Sequence, residues 1–261
     1  MTFRILALGD IVGRHARNAV KDRLPEIIKN YKADFVIVNG ENTSGGAGLL
    51  EKHATLLHSC GVDVITSGNH IWNKPEIYSF INGTPYVLRP ANYPDDLPGR
   101  GSAVFTHEKT GIKVGVLNLL GTVFMPPIDN PFKKALTEIE RMRADGADII
   151  VLDFHAEATA EKEAFGIYLS DKIELFFGTH THVQTSDEKI INERTGYITD
   201  LGRCGSFFSV LGFNEKESIT GYLTNVPQHF VPAKNDIKIE GIVADFELNP
   251  VRCVAIERIR I

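Results

Sequence analysis

Residues 173–185 read I-E-L-F-F-G-T-H-T-H-V-Q-T, and the rest of the chain is organised around this stretch. Leu175, Phe176 and Phe177 form a short apolar run with the length and composition of a buried strand. Gly178 ends the run, and His180 and His182 follow, one residue apart. In extended backbone an H-x-H pair alternates faces, whereas in a loop both imidazoles can converge on one point. Neutral imidazole is a common metal ligand. A lone histidine here reads more readily as a capping or core residue; two behind a glycine hinge point towards a metal.

Working outward, other apolar runs end in the same way. Residues 3–8 form a continuous apolar strand ended by Gly9-Asp10. Residues 35–38 form a second, ended by Asn39-Gly40-Glu41-Asn42 and the glycine-rich S-G-G-A-G; residues 62–65 form a third, ended by Ser67-Gly68-Asn69-His70. Between them Ala16, Val20, Leu24 and Ile27 recur at helical spacing, with Pro25 expected to kink or break that helix. Leu49, His53, Leu56, Leu57 and Cys60 mark the next helix, with Gly61 at its C-cap. The β-α-β-α-β rhythm predicts parallel strands with right-handed crossovers.

Farther on, residues 75–81 are expected as a short helix and residues 85–101, with four prolines and two glycines, as an ordered surface excursion. Residues 102–106 and 113–119 predict two strands, followed by an amphipathic helix through Phe132, Ala135, Leu136, Ile139 and Met142. Residues 148–152 are a buried strand leading to His155, and Ala160, Ala164, Ile167 and Tyr168 give another helix. After His182 the helical rhythm fades. Residues 190–198, 237–248 and 251–261 read as strands, the last two as an antiparallel hairpin around Asn249-Pro250. With no repeat or linker, residues 1–261 are read as one α/β domain. The expected architecture is two packed mixed sheets flanked by helices, an α/β/β/α sandwich, since a single sheet of ten or more strands is less usual.

Composition bounds the function classes. Apolar residues make up 43% and charged residues 23%, ordinary for a globular protein. A formal net charge of −5 argues against a broad nucleic-acid face or an electrostatic membrane anchor, though not against a local phosphate pocket. Cys60, Cys204 and Cys253 are widely spaced and form no C-x-x-C, which predicts a reduced, cytoplasmic setting. The opening M-T-F-R-I-L-A-L-G-D reads as a strand rather than a signal peptide, and no apolar run approaches the ~20 residues of a membrane span.

The carboxyl ends of parallel strands share one rim, where ligands bind. Asp10, Glu41, Asn42, Asn69, His70, His155, His180 and His182 therefore gather on one edge. Turn formation and helix capping account for the Asp and Asn residues singly, but not for histidines at the same rim.

Here G-D (9–10), G-E-N (40–42), G-N-H (68–70), H-A-E-A-T (155–159) and G-T-H-T-H (178–182) resemble the metallophosphoesterase signature of the calcineurin-like superfamily. They are more closely similar to its YmdB-type branch of bacterial 2′,3′-cyclic-nucleotide phosphodiesterases. The likeness spans essentially the whole chain, including P-A-N-Y-P (90–94). Where the wider superfamily has D-x-H, this chain has Asp10-Ile11-Val12, and Glu41 replaces an aspartate on the second strand; both fit the YmdB-like branch.

The resemblance implies a two-metal site. Asp10, Glu41, Asn42 and His182 would hold one ion; Glu41, as bridge, would hold the other with Asn69, His155 and His180. Mixed carboxylate, amide and imidazole ligands suit Fe or Mn, with Zn also compatible, and suit Mg or Ca poorly. Two ions about 3.5–4 Å apart can share a hydroxide and clamp a phosphoryl group. The implied reaction is hydroxide attack on a 2′,3′-cyclic nucleotide to give a 3′-nucleotide. His70 is assigned as general acid or as a donor to the transition state. Thr179, Thr181 and Glu157 are read as partners of the ligand imidazoles. Arg89, Asn92 and the 44–48 loop are weak candidates for nucleotide contact, and His15, His53, His58, His107 and His229 are read as structural. Alternatives are a phosphomonoesterase, a 3′,5′-cyclic phosphodiesterase, or a metal-dependent nucleotide-binding regulator. Homo-oligomerisation is left open: Phe207-Phe208 and residues 124–127 are candidates for interface, core or pocket wall.

Overall fold

The computed structural model describes residues 2–261. In chain order the elements are β1 (Thr2–Leu8), β2 (Asp10–Ile11), α1 (Gly13–Tyr31), β3 (Phe35–Asn39), α2 (Glu51–Ser59), β4 (Val64–Thr66) and α3 (Ile77–Phe80). Next come β5 (Ser102–Thr106), β6 (Lys113–Leu120), α4 (Pro131–Ala144), β7 (Ile149–His155), α5 (Thr159–Leu169), β8 (Leu175–Thr179), β9 (Lys189–Ile191) and β10 (Thr195–Ile198). The chain closes with β11 (Arg203–Ser206), α6 (Glu215–Thr224), β12 (Ile237–Leu248) and β13 (Val251–Arg260).

Two mixed sheets result. One runs β2-β11-β12-β1-β3-β4, with β13 paired to β12; the other runs β5-β6-β7-β8-β10-β9. Strands β1, β3 and β4 are mutually parallel, as are β6, β7, β8 and β10. Antiparallel β12 joins β1 to the C-terminal hairpin.

Side-chain alternation builds the layers. On β1, Phe3, Ile5 and Ala7 enter the core between the sheets, while Leu6 and Leu8 pack with Ala16, Val20 and Leu24 of α1. On β7, Ile149 and Val151 face the same inter-sheet core, and Ile150, Leu152 and Phe154 meet residues of α4 and α5. The α/β/β/α sandwich thus follows from period-two strands with both faces apolar.

The same alternation positions the site. The inter-sheet face continues from Phe35 and Ile37 to Asn39, from Val64 to Thr66, and from Val114 and Val116 to Asn118. It runs likewise from Ile149 and Val151 to Asp153, and from Leu175 and Phe177 to Thr179. One step beyond these apolar rungs lies a buried polar layer, and beyond it the strand-end rim.

Several local expectations fail for physical reasons. Helix α1 continues through Pro25; burial of Ala16, Val20, Leu24 and Ile27 offsets a lost hydrogen bond costing ~3 kcal/mol. Residues 190–198 are two strands, because Asn192 and Glu193 both adopt positive φ (52° and 54°) and turn β9 back onto β10. Residues 87–92, expected at the surface, are buried, with Leu88 hydrogen-bonded to Ile65. Strand β11 and helix α6 were not foreseen. The first is R-C-G-S without a β-branched residue, and the second buries only Ser218, its short apolar stripe of Ile219, Tyr222 and Leu223 facing outward.

Candidate metal centre

Every rim residue named from the sequence arrives at one cluster. Glu41 Oε1 lies 3.2 Å from His155 Nε2, Asn69 Oδ1 lies 3.1 Å from that same nitrogen, and His180 Nδ1 lies 3.0 Å from it. One imidazole nitrogen cannot hydrogen-bond three such neighbours. Beside this group, Asn42 Oδ1 is 3.2 Å from His182 Nε2, and Asp10 Oδ1 is 3.8 Å from His182 Nε2 and 3.9 Å from His155 Nδ1. Glu41, His155 and His180 offer donor atoms all within 4.8 Å of one another.

Tautomers follow from the surrounding bonds. The Thr179 hydroxyl donates to Asp153 Oδ1 at 2.7 Å, so it must accept from His155 Nδ1 at 2.9 Å, which leaves Nε2 for the cluster. His182 Nδ1 donates to the Leu211 carbonyl at 2.8 Å, which turns the Nε2 lone pair towards Asn42. The Asn42 amide nitrogen donates to the Gly46 carbonyl, so its oxygen faces that lone pair. Two acceptors thus confront each other at 3.2 Å. Burial lowers the His182 pKa, so a proton does not relieve the confrontation. Asp10 Oδ1 is buried and finds no hydrogen-bond donor among the described residues. A cation satisfies all of these atoms, and the donor set fits one.

Electrostatics agree. Burial drives the Asp10 carboxyl well above its ordinary range. Burial also favours a neutral Glu41, but the bonded His155 ring outweighs it and holds Glu41 low; the same carboxylate reverses the burial effect on His155 and raises it. His180 is lowered to about 3, by burial first and the His155 charge second. Burial thus works against charge on Asp10, His180 and His182, and only Glu41 and His155 hold opposite charges against each other, the charge on His155 standing where a cation would.

The H-x-H loop is held in place from below. His180 and His182 have φ of 98° and 62°, left-handed values that cost a non-glycine residue on the order of 1–3 kcal/mol each. That backbone is what brings both rings to one side. Fully buried Lys162 donates to the Thr179 carbonyl at 2.9 Å and to Asp200 Oδ2 at 2.7 Å; Asp200 also accepts from Thr181 N–H. His180 N–H donates to Asp10 Oδ2. Beneath the rim, Asp153 accepts from Asn39 and Thr66 as well as from Thr179, and burial raises its pKa. Gly68 admits no larger residue, since a Cβ there would collide with the His155 ring and Glu41 Oε2.

Among the other named residues, His70 donates its backbone N–H to Glu41 Oε2 at 3.1 Å. Its Nδ1 accepts from Asn73, which leaves an Nε2–H donor on a ring that lines the cavity. Glu157 Oε2 lies 3.1 Å from His180 Nε2 at the exposed edge. Arg89 and Asn92 are structural instead. The Arg89 guanidinium serves the carbonyls of Pro90, Pro94, Leu97 and Pro98, and Asn92 Nδ2 donates to the carbonyls of Leu120 and Asp129. Of the 44–48 loop, Ser44 bonds to His53 and Gly46 packs under Phe213. Sequence reasoning missed Asp153, Lys162 and Asp200; a lone acid two residues before His155 in an apolar strand was the available signal.

A cavity of about 330 Å³ opens above the cluster. One side carries Glu41, Asn42, His70, His180 and His182, and the other is an apolar wall of Leu211, Phe213, Tyr222 and Phe230.

The family model of the YmdB-like protein matches residues 6–259. The chain belongs to the YmdB-like family. It is 43% identical to the 2′,3′-cyclic-nucleotide 2′-phosphodiesterase of Bacillus subtilis (strain 168), over 99% of this chain and 97% of that one. Among solved structures, a novel phosphatase from Mycoplasma pneumoniae matches with a TM-score of 0.92 at 36% identity, covering 100% of this chain and 94% of the other. A hypothetical protein from Thermus thermophilus matches at 0.90 and 34%, covering 99% of each chain.

Proposed function

We propose that this chain is a dinuclear-metal phosphodiesterase that opens 2′,3′-cyclic nucleotides to 3′-nucleotides. The observation that carries the metal centre is the crowding of donor atoms: two acceptors, His182 Nε2 and Asn42 Oδ1, face each other, and Glu41, Asn69 and His180 all converge on the single nitrogen Nε2 of His155. Asp10, Asn42 and His182 would hold one ion and Asn69, His155 and His180 a second, with Glu41 contributing to both. Iron or manganese suits this mixture best, and zinc is compatible. Bound there, the ions supply Lewis acidity towards the phosphoryl oxygens and lower the pKa of water at the site.

The chain's own groups do the rest. Thr179 and the Leu211 carbonyl fix the tautomers of His155 and His182, so that each presents Nε2. His70 hydrogen-bonds its Nε2–H to the 2′ oxygen as the bond from that oxygen to phosphorus breaks and a water oxygen forms the new one. The substrate class is supported by the B. subtilis relative, at 43% identity along nearly the full length of both chains. Three cysteines without disulfides suit a cytoplasmic setting, and no helix among the described residues is long and apolar enough to cross a membrane.

A panel of 2′,3′-cyclic AMP, 3′,5′-cyclic AMP and 5′-AMP, offered to metal-loaded protein with the products resolved chromatographically, tests the reading. The expected result is 3′-AMP from the first substrate and slow turnover of the others. Preferential release of phosphate from 5′-AMP would replace it with a monoesterase.

A further inference from the structure

The apolar wall of the cavity has no part in the chemistry described so far, yet it is built directly onto the metal centre. The His182 ring donates to the carbonyl of Leu211, which starts the wall. Phe213 packs over Gly46, four residues after Asn42, so closely that a Cβ at Gly46 would strike its ring. Bonds from Asn214 N–H to the Val231 carbonyl and from Ala233 N–H to the Gly212 carbonyl clamp the two ends of the segment together. Phe213 and Phe230 stand with ring centroids 5.8 Å apart, and Tyr222 extends from α6 with 81% of its surface exposed.

Resting on the phosphodiesterase reading, we propose that this wall is the nucleobase seat. Tyr222 and Phe230 take the base by its flat face while the cyclic phosphate lies on the metal centre. Three observations favour this occupant. The wall and the ligand cluster line the same cavity, whose ~330 Å³ is of small-ligand size. The wall is aromatic and carries no cation, so it suits a neutral π-face rather than a second phosphate. Ser218, the buried hydroxyl among the lining residues, already spends its proton on the Asn214 carbonyl and has none to donate to a base edge. Recognition by stacking alone is tolerant of base identity. Purine and pyrimidine cyclic nucleotides should therefore have similar KM values, and a cyclic ribose phosphate without a base should be the poorer substrate.

The test compares kcat/KM for 2′,3′-cyclic AMP, 2′,3′-cyclic UMP and the base-free methyl ribofuranoside 2′,3′-cyclic phosphate. Wild type, Tyr222→Ala, Phe230→Ala and Tyr222→Phe are assayed as metal-loaded full chains. The wild type should favour both nucleotides over the base-free diester by about tenfold or more. The two alanine variants should bring that ratio towards one, mainly through KM, and Tyr222→Phe should keep it. Equal use of the base-free diester by wild type, or a ratio unchanged in both alanine variants, overturns the base seat while the diesterase reaction stands. If wild type hydrolyses none of the three, the diesterase reading fails on its own, and calorimetric titration with 3′-AMP decides the seat. Binding weakened about tenfold by Tyr222→Ala supports it, whereas equal binding or none overturns it. A change of sedimentation in Tyr222→Ala with an unchanged ratio makes this face a contact between copies, and also overturns it.

Discussion

The two sides of the cavity are built by opposite rules. The ligand side stands on five strands, each contributing apolar rungs and then a buried polar residue; Asp153 alone accepts from three side chains. The aromatic side is a 207–232 excursion in which α6 buries a single residue and Tyr222 and Leu223 are 81% and 79% exposed. Ligand atoms must be held to fractions of an ångström, so their side of the cavity is packed and over-determined. A surface that only offers a flat apolar face needs no such precision, and low local stability is tolerated there.

Substitutions should separate the two sides sharply. Gly68→Ala should have the largest effect, because its methyl enters the space of His155 and Glu41. Metal content should fall to background and activity with it, as elemental analysis beside a turnover assay would record. His70→Ala comes next. It should keep its metal but lose about 10²–10⁴ in kcat, the usual worth of a positioned proton donor; unchanged kcat with metal bound would remove His70 from its role. Thr179→Val breaks the link from Asp153 to the His155 tautomer without touching the cavity. A weakening of metal affinity by about 10–100-fold is expected, measurable by competition with a chelator. On the aromatic side, Leu223→Ser should shift stability by no more than about 0.5 kcal/mol in urea unfolding. A larger loss would show that α6 is packed more firmly than its exposure implies.

This difference also explains what could be read from the sequence. Strand-end residues such as Asp10, Asn69 and His182 stood out because each follows an apolar run and a glycine or short polar step, a local signal. The four-layer sandwich followed from those same runs. Lys162 and Asp200 were invisible, since they lie 38 positions apart and meet only through the fold. Arg89 looked like a candidate for substrate contact because its burial under four carbonyls depends on the path of residues 90–98. Helix α6 was missed although Ile219, Tyr222 and Leu223 stand at helical spacing, because the stripe is short, is interrupted by Gly221 and faces outward instead of into a core. What the cavity wall does is written in exposure, which sequence patterns record poorly.

The most direct measurement is the metal content of wild type beside Glu41→Ala, with 2′,3′-cyclic AMP hydrolysis followed in the same preparations. Glu41 is the residue assigned to both ions, so wild type should carry two metal ions per chain and turn over the substrate, and the variant should lose both properties together. A variant that retained two ions and full activity, or a wild type that bound none after reconstitution with iron or manganese, would contradict the bridged metal centre on which the account stands.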